Sequence, residues 1–242
     1  MANLVECLDK ASTAYGMEIS AKKTKLMTNN TSGINTEIKV NGQKLETVTS
    51  FKYLGSIKRD EGSKLEILCR IAQTTAAFTK LKAVWNDRSI SLSSKIQLMR
   101  FLVTSMCLYA CESWTLTVEL QGRIQAMEMR SCRKILHISY KDHVTNKEVH
   151  AKIQQALGPH KDLTIVKICK LQWYGHVSCL SGLAKTILQG TMKVGRRHGG
   201  QRKRWEDNIR EWTGLEFAKS QRAVENREKW RKLGAKSSVV PQ

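Results

Sequence analysis

Five cations fall within the eleven residues from Gly195 to Trp205: Arg196, Arg197, Arg202, Lys203 and Arg204, with Gly195, Gly199 and Gly200 among them. Guanidinium and ammonium groups spaced in this way suit one chemistry, the neutralisation of a row of phosphates. Each donates charge-assisted hydrogen bonds to anionic oxygens, and the glycines let the backbone follow the row. So dense a charge does not fit a packed core. If all five cations met phosphates, log affinity should fall against log salt with a slope of about −4. Smaller basic groups recur at Lys22, Lys23 and Lys25, at Lys52 beside Tyr53, and at Lys80, Lys82 and Arg88.

Other reactive side chains are present, but their spacing supports no catalytic or metal chemistry. Cys169, His176 and Cys179, or Cys107 and Cys111, lack the paired short spacings of a zinc knuckle and fall where helices are expected. Glu112, Ser139 and His143 form no triad that spacing can support. Free thiols are expected, with no metal and no cofactor in this chain. Seven cysteines, an odd number, in helix-like contexts imply a reducing compartment, and hence an intracellular protein, cytoplasmic or nuclear.

The whole-chain balance points the same way as the basic stretch. Forty-one Lys and Arg against 21 Asp and Glu give a formal charge of +20 over 242 residues, and the excess is spread along the chain. Such self-repulsion implies a polyanionic partner. Nucleic acid is the expected one rather than a membrane. No apolar run approaches the ~20 residues of a span, no amphipathic membrane-surface helix is evident, and the N-terminus does not read as a secretory signal.

The elements that must position these cations are mostly helices, since only Pro159 and Pro241 interrupt the chain. Leu4, Leu8, Ala11 and Tyr15 share a helical face ended by Gly16. Met17–Ser20 is a strand candidate, followed by a basic turn at 21–25. Ile38 and Val40 alternate towards Asn41-Gly42, a strong hairpin signal, with a return strand at Leu45–Val48 and another strand or tight hairpin at Phe51–Gly55. Residues 1–60 should thus be a helix with a small antiparallel sheet.

From Ser63 the period becomes helical. Ser63 and Glu66 predict a capping box, and the first helix carries Leu68, Ile71, Thr75, Phe78, Leu81 and Trp85. Ser93 should cap a second, with Ile96, Met99, Val103 and Met106 on one stripe, and the run Phe101–Ala110 reads as buried. A third bears Leu120, Ile124, Met127, Ser131 and Ile135. Thr145 and Glu148 predict another capping box, and its short helix should end at Gly158-Pro159. A further helix carries Val166, Cys169, Trp173 and Val177. Trp205, Ile209 and Trp212 anchor the helix behind the basic stretch, Gly214 stops it, and one last helix carries Val224 and Trp230. The tail after Leu233 is expected to be disordered.

Six strings in order resemble the C-terminal half of the reverse transcriptase of LINE-type (non-LTR) retrotransposons. They are Tyr15-Gly-Met-Glu-Ile-Ser-Ala-Lys-Lys-Thr-Lys-Leu-Met27, Phe51-Lys-Tyr-Leu-Gly-Ser56, Leu108-Tyr-Ala-Cys-Glu-Ser-Trp-Thr-Leu116, Val144-Thr-Asn-Lys-Glu-Val149, Leu171-Gln-Trp-Tyr-Gly-His-Val177, and the basic stretch through Asn226-Arg-Glu-Lys-Trp230. The resemblance implies a mainly α fold. Residues 1–60 would be a small α+β palm remnant, 61–140 a thumb-like bundle, 141–233 a basic helical extension and 234–242 a disordered tail.

It also implies roles. Lys23, with Lys25 beside it, would correspond to the motif D lysine near an incoming triphosphate. Lys52 and Tyr53 lie in the primer-grip string, which otherwise reads as an ordinary edge strand. Lys80 and Lys82 would follow a template–primer backbone, and His176 would stack on an unpaired base or pack locally. Where the family pattern has Gly-Arg-Pro before the Arg-Trp pair, this chain has Gly199-Gly200-Gln201, which removes one cation and a rigid proline. The aromatic-Ala-Asp-Asp block expected just before Met1 is absent, and no Asp-Asp pair occurs. Two-metal nucleotidyl transfer needs those carboxylates. The expectation is therefore a nucleic-acid-binding fragment without catalysis, with Mg2+ belonging only to a complete polymerase. Its partners would be RNA, an RNA–DNA hybrid or DNA, and an upstream polymerase segment. The alternatives are one part of an active polymerase, or a helical protein–protein module.

Overall fold

The computed structural model describes residues 2–27, 37–53, 55–59, 63–157, 162–189 and 203–237. It divides into two compact units, Met1–Gly62 and Ser63–Gln242.

In the first unit, α1 (Ala2–Ala14) ends at Gly16, whose φ of +70° costs a residue without Cβ little. Val5 is the side chain of α1 that packs, against Ile38, Val40 and Leu45; the Leu4, Leu8 and Tyr15 face is exposed. Met17–Ser20 is not a strand. β1 (Lys25–Leu26), β2 (Lys39–Val40), β3 (Gln43–Lys44), β4 (Glu46–Thr47), β5 (Ser50–Tyr53) and β6 (Ser56–Arg59) follow. The Asn41-Gly42 hairpin forms between β2 and β3, with φ of +48° and +74° at the two turn residues, the combination a type I′ turn requires. Among the described residues the expected single antiparallel sheet does not form. β2–β3 and β5–β6 are separate antiparallel pairs, while β1 and β4 pair in parallel.

The second unit is helical: α2 (Lys64–Lys80), α3 (Lys82–Asn86), α4 (Leu92–Leu98), a π-helical segment Met99–Thr104, α5 (Ser105–Leu108), a 3₁₀ turn Cys111–Ser113, α6 (Val118–Ile135), α7 (Asn146–Leu157), α8 (Asp162–Cys179), α9 (Leu183–Gln189), α10 (Trp205–Thr213), α11 (Phe217–Glu225) and α12 (Arg227–Ser237). The expected mainly helical class is observed. Packing is continuous across residue 140, where a boundary was expected: one core cluster joins Ile67, Trp114, Leu120 and Ile124 to Val166 of α8.

Several local expectations change for identifiable reasons. The Ser63–Glu66 capping box does not form. Ser63 Oγ instead accepts from Thr115 N–H at 2.8 Å, and buried Glu66 accepts from Arg70 Nε at 3.1 Å. The cap of α4 is Ser91, not Ser93, with its oxygen accepting from Ser94 N–H. The π-helical segment adds a residue to the turn, so the stripe Ile96, Met99, Val103 continues to buried Cys107 and leaves Met106 exposed. Phe101, Leu102 and Tyr109 are likewise exposed, so this run is not wholly buried. The Thr145–Glu148 box forms as expected, with the Glu148 carboxylate taking the Thr145 N–H at 2.7 Å and thereby held below the usual range. Its helix ends at Leu157, and Gly158-Pro159 lies outside the described residues. α9 was not anticipated. The expected last helix is two, because Asn226 breaks it and caps α12 by accepting from Lys229 N–H at 3.0 Å. α12 runs past Leu233 to Ser237, so the helical part of the chain extends into what was expected to be tail.

Candidate nucleic-acid interface

The site is built on α10, the helix that directly follows the basic stretch. Trp205, Asn208, Ile209 and Trp212 share one face of it, at helical spacing. Trp205 donates from Nε1 to the Glu112 carbonyl at 2.8 Å and meets Trp173 edge-on at 5.4 Å between ring centroids. Ile209 is buried with Tyr174, Val224 and Trp230, while Trp212 packs into both neighbouring clusters. The anchoring expected of Trp205, Ile209 and Trp212 is therefore present.

Two polar residues at the centre of this joint were missed. Asn208 is fully buried; its Oδ1 accepts from Leu116 N–H at 2.8 Å and its Nδ2 donates to Leu116 O at 2.9 Å. Lys170 of α8 is also fully buried and donates from Nζ to Trp114 O at 2.7 Å and to Asn208 Oδ1 at 3.0 Å. Its ammonium lies 4.4 Å from the centre of the Trp205 ring, a cation–π contact that offsets part of the lost hydration. The signal was in the sequence. Lys170 is four residues from both Val166 and Tyr174, and Asn208 three from Trp205, so both lie on apolar faces.

Burial pushes the Lys170 ammonium down to about 7, helped by the nearby Lys203 charge and opposed by Cys111 and Glu211. The folded value thus lies below the unfolded one, and between them the unfolded chain binds more protons. Stability should therefore rise with pH from about 7 to about 10, by roughly 4 kcal/mol from this group, and lose that gain as pH falls back through 7. Urea unfolding at several pH values measures the slope, and Lys170→Met should flatten it. Beside Lys170, the Cys111 thiol donates to Cys169, an arrangement that raises Cys111 and lowers Cys169 to about 7.

The predicted contact residues fall into three groups. Arg196, Arg197 and Arg202 lie outside the described residues. Lys203 and Arg204 are described, and both carry carboxylate partners: Lys203 pairs with Glu211, and Arg204 with Glu206 at 3.2 Å. The Arg204 N–H also binds Asp207 at 2.7 Å, closing the first turn of α10. In the second unit, Lys80 and Lys82 are exposed at the α2–α3 junction. Lys82 joins Arg130 and Lys134 around a hollow of about 200 Å³ over the stacked Phe78 and Trp85 rings. His176 is exposed on α8, whereas Trp173, expected on the packed face, is 40% exposed, and Tyr174 fills the core in its place.

In the first unit, Lys23 is exposed in a turn, and Lys25 is paired with Glu46 across β1 and β4. Lys52 and Tyr53 are exposed on opposite faces of β5; the Tyr53 ring neighbours Phe51 at 6.4 Å. Among the described residues no group of three or more His, Cys, Asp or Glu side chains converges as a metal site would require. No helix among the described residues is long and apolar enough to cross a membrane.

No family profile, curated protein or solved structure matches this chain.

Proposed function

We propose that this chain is a nucleic-acid-binding part of a reverse transcriptase of the non-LTR retrotransposon type, holding RNA or an RNA–DNA hybrid through phosphate contacts without catalysing nucleotide transfer. On this reading the first unit is a palm remnant with the motif D and primer-grip strings, the helices after Ser63 are thumb-like, and the remainder is the basic extension. The observation that carries it is the seating of α10. Four side chains, two of them fully buried, fix the helix that follows the densest run of cations in the chain. A charge of +20 supplies the long-range attraction.

Lys203 and Arg204 hold carboxylates, so the loop is tested at its other three cations, Arg196, Arg197 and Arg202. Their triple replacement by glutamine should reduce the magnitude of the log–log salt slope on single-stranded RNA by about 2. Fluorescence anisotropy at several salt concentrations reads this directly. An unchanged slope would remove the loop from the interface.

A second reading, a helical protein–protein module, is favoured by the exposed Phe101, Leu102, Met106 and Tyr109. It differs by predicting partner capture that persists at high salt. In a third reading the chain serves an active polymerase whose aspartates are encoded upstream. The coding sequence before Met1, examined for an in-frame aromatic-Ala-Asp-Asp, separates that case.

A further inference from the structure

A concave basic groove lies between α8–α9 and α11–α12. Its first hollow, about 470 Å³, has Gln172 and His176 of α8 on one side and Arg227 and Arg231 of α12 on the other, over a floor of Gly175 and Trp230. Gln172 and His176 are one helical turn apart, as are Arg227 and Arg231, so each pair presents its polar ends along the same wall. No acidic side chain lines this hollow among the described residues. A second hollow of about 580 Å³ shares Cys179, Val224 and Arg227 with the first and adds Lys185 and Arg222, with Glu225 the one acid on it among the described residues. The two form a continuous path bordered by Arg231, Arg227, Arg222 and Lys185. The three arginines are exposed.

We infer that this groove is a track for a single-stranded nucleic acid, with successive phosphates on the arginines and a splayed base in the first hollow. The inference rests on the nucleic-acid reading above, which singled out His176 alone among the groove residues, and extends it to Gln172, Lys185, Arg222, Arg227 and Arg231. Charge selects a polyanion, and shape selects among polyanions. Volumes of this size accept a small-molecule-sized group. A nucleotide turned out of a single strand can enter such a recess, while a duplex keeps its bases stacked inside a stiff cylinder. Trp230 is 6% exposed and its Nε1 is committed to Leu171 O at 3.0 Å, so it forms the floor and is not a stacking platform. The guanidinium planes of Arg227 and Arg231 supply the stacking faces, and Gln172 and His176 offer hydrogen bonds to base edges.

The test compares the wild-type chain, Arg227→Gln/Arg231→Gln, and the Arg196/Arg197/Arg202 glutamine variant on a twelve-nucleotide single-stranded RNA and on a duplex of the same sequence. The groove variant should bind the single strand at least tenfold more weakly and reduce the magnitude of its salt slope by about 1.4, at roughly 0.7 per lost contact. Its duplex binding should change less than threefold. Both arginines are exposed, and a thermal midpoint equal to wild type verifies that folding is intact. A 4-thiouridine strand should photo-crosslink to peptides of α8 and α12. If single-strand binding falls only in the loop variant, or crosslinks map only to 190–204, the groove assignment is overturned and the general reading stands. If wild type binds neither probe, both fail.

Discussion

Asn208→Ala should destabilise the second unit by about 4 kcal/mol, one of the two largest single-residue effects expected. Asn208 has no exposed surface, and its amide satisfies both backbone groups of Leu116 while accepting from Lys170. Alanine removes three hydrogen bonds at once and gives the Leu116 groups no water in exchange. Each bond contributes about 1 kcal/mol net, and an orphaned buried group costs about 1–3 kcal/mol. The Lys170 ammonium, already desolvated, loses one of its two oxygen acceptors as well. Urea denaturation should show the loss as a lower midpoint. RNA affinity should fall with it, because α10 holds the end of the basic stretch. A change under about 1 kcal/mol would mean that α10 is seated by its tryptophans alone.

Gly175→Val should cost about 3 kcal/mol. A Cβ on Gly175 would lie 2.6 Å from Trp230 Nε1 and 2.9 Å from its Cδ1, closer than real contacts allow. The indole cannot swing away cheaply. It is buried, packs on Tyr174 at 5.5 Å between ring centroids, and donates to Leu171 O. Overpacking of this kind typically costs 1–3 kcal/mol, and a β-branched residue lies at the upper end. The glycine of Trp173-Tyr-Gly-His176 is thus explained by the close approach of α12 to α8. Gly122 offers a control: no atom lies within 4 Å of its added Cβ, so Gly122→Ala should stabilise by up to about 1 kcal/mol. Thermal unfolding of the two variants should move in opposite directions.

Features whose partners are near in sequence were legible from the residues. The Asn41-Gly42 hairpin, the Thr145–Glu148 box and the Gly214 cap each depend on a few neighbours. The apolar face of α10 was legible because its spacing follows the helix period. Ser63 was misread because its hydroxyl serves Thr115, 52 residues on, and Glu66 because Arg70 holds it inside the protein. Met106 was misplaced because a π-helical segment shifts the phase, which no periodic template contains. Lys170 and Asn208 were overlooked because polar residues read as surface, although their positions fell on buried faces. The ion pairs of Lys203 and Arg204 were not legible because Glu211 and Glu206 come within reach of them only when α10 forms. Of the groove, only His176 was singled out. Arg227 and Arg231 meet α8 through tertiary packing, and α9 with Lys185 was not expected at all.

The central claim is that this chain grips nucleic acid through its phosphates, and salt-titrated binding of the full chain to single-stranded RNA tests it most directly. The account predicts a log affinity that falls against log salt with a slope of about −3.5 or steeper, at roughly 0.7 per phosphate contact. Absent binding, or binding that salt leaves unchanged, would contradict it.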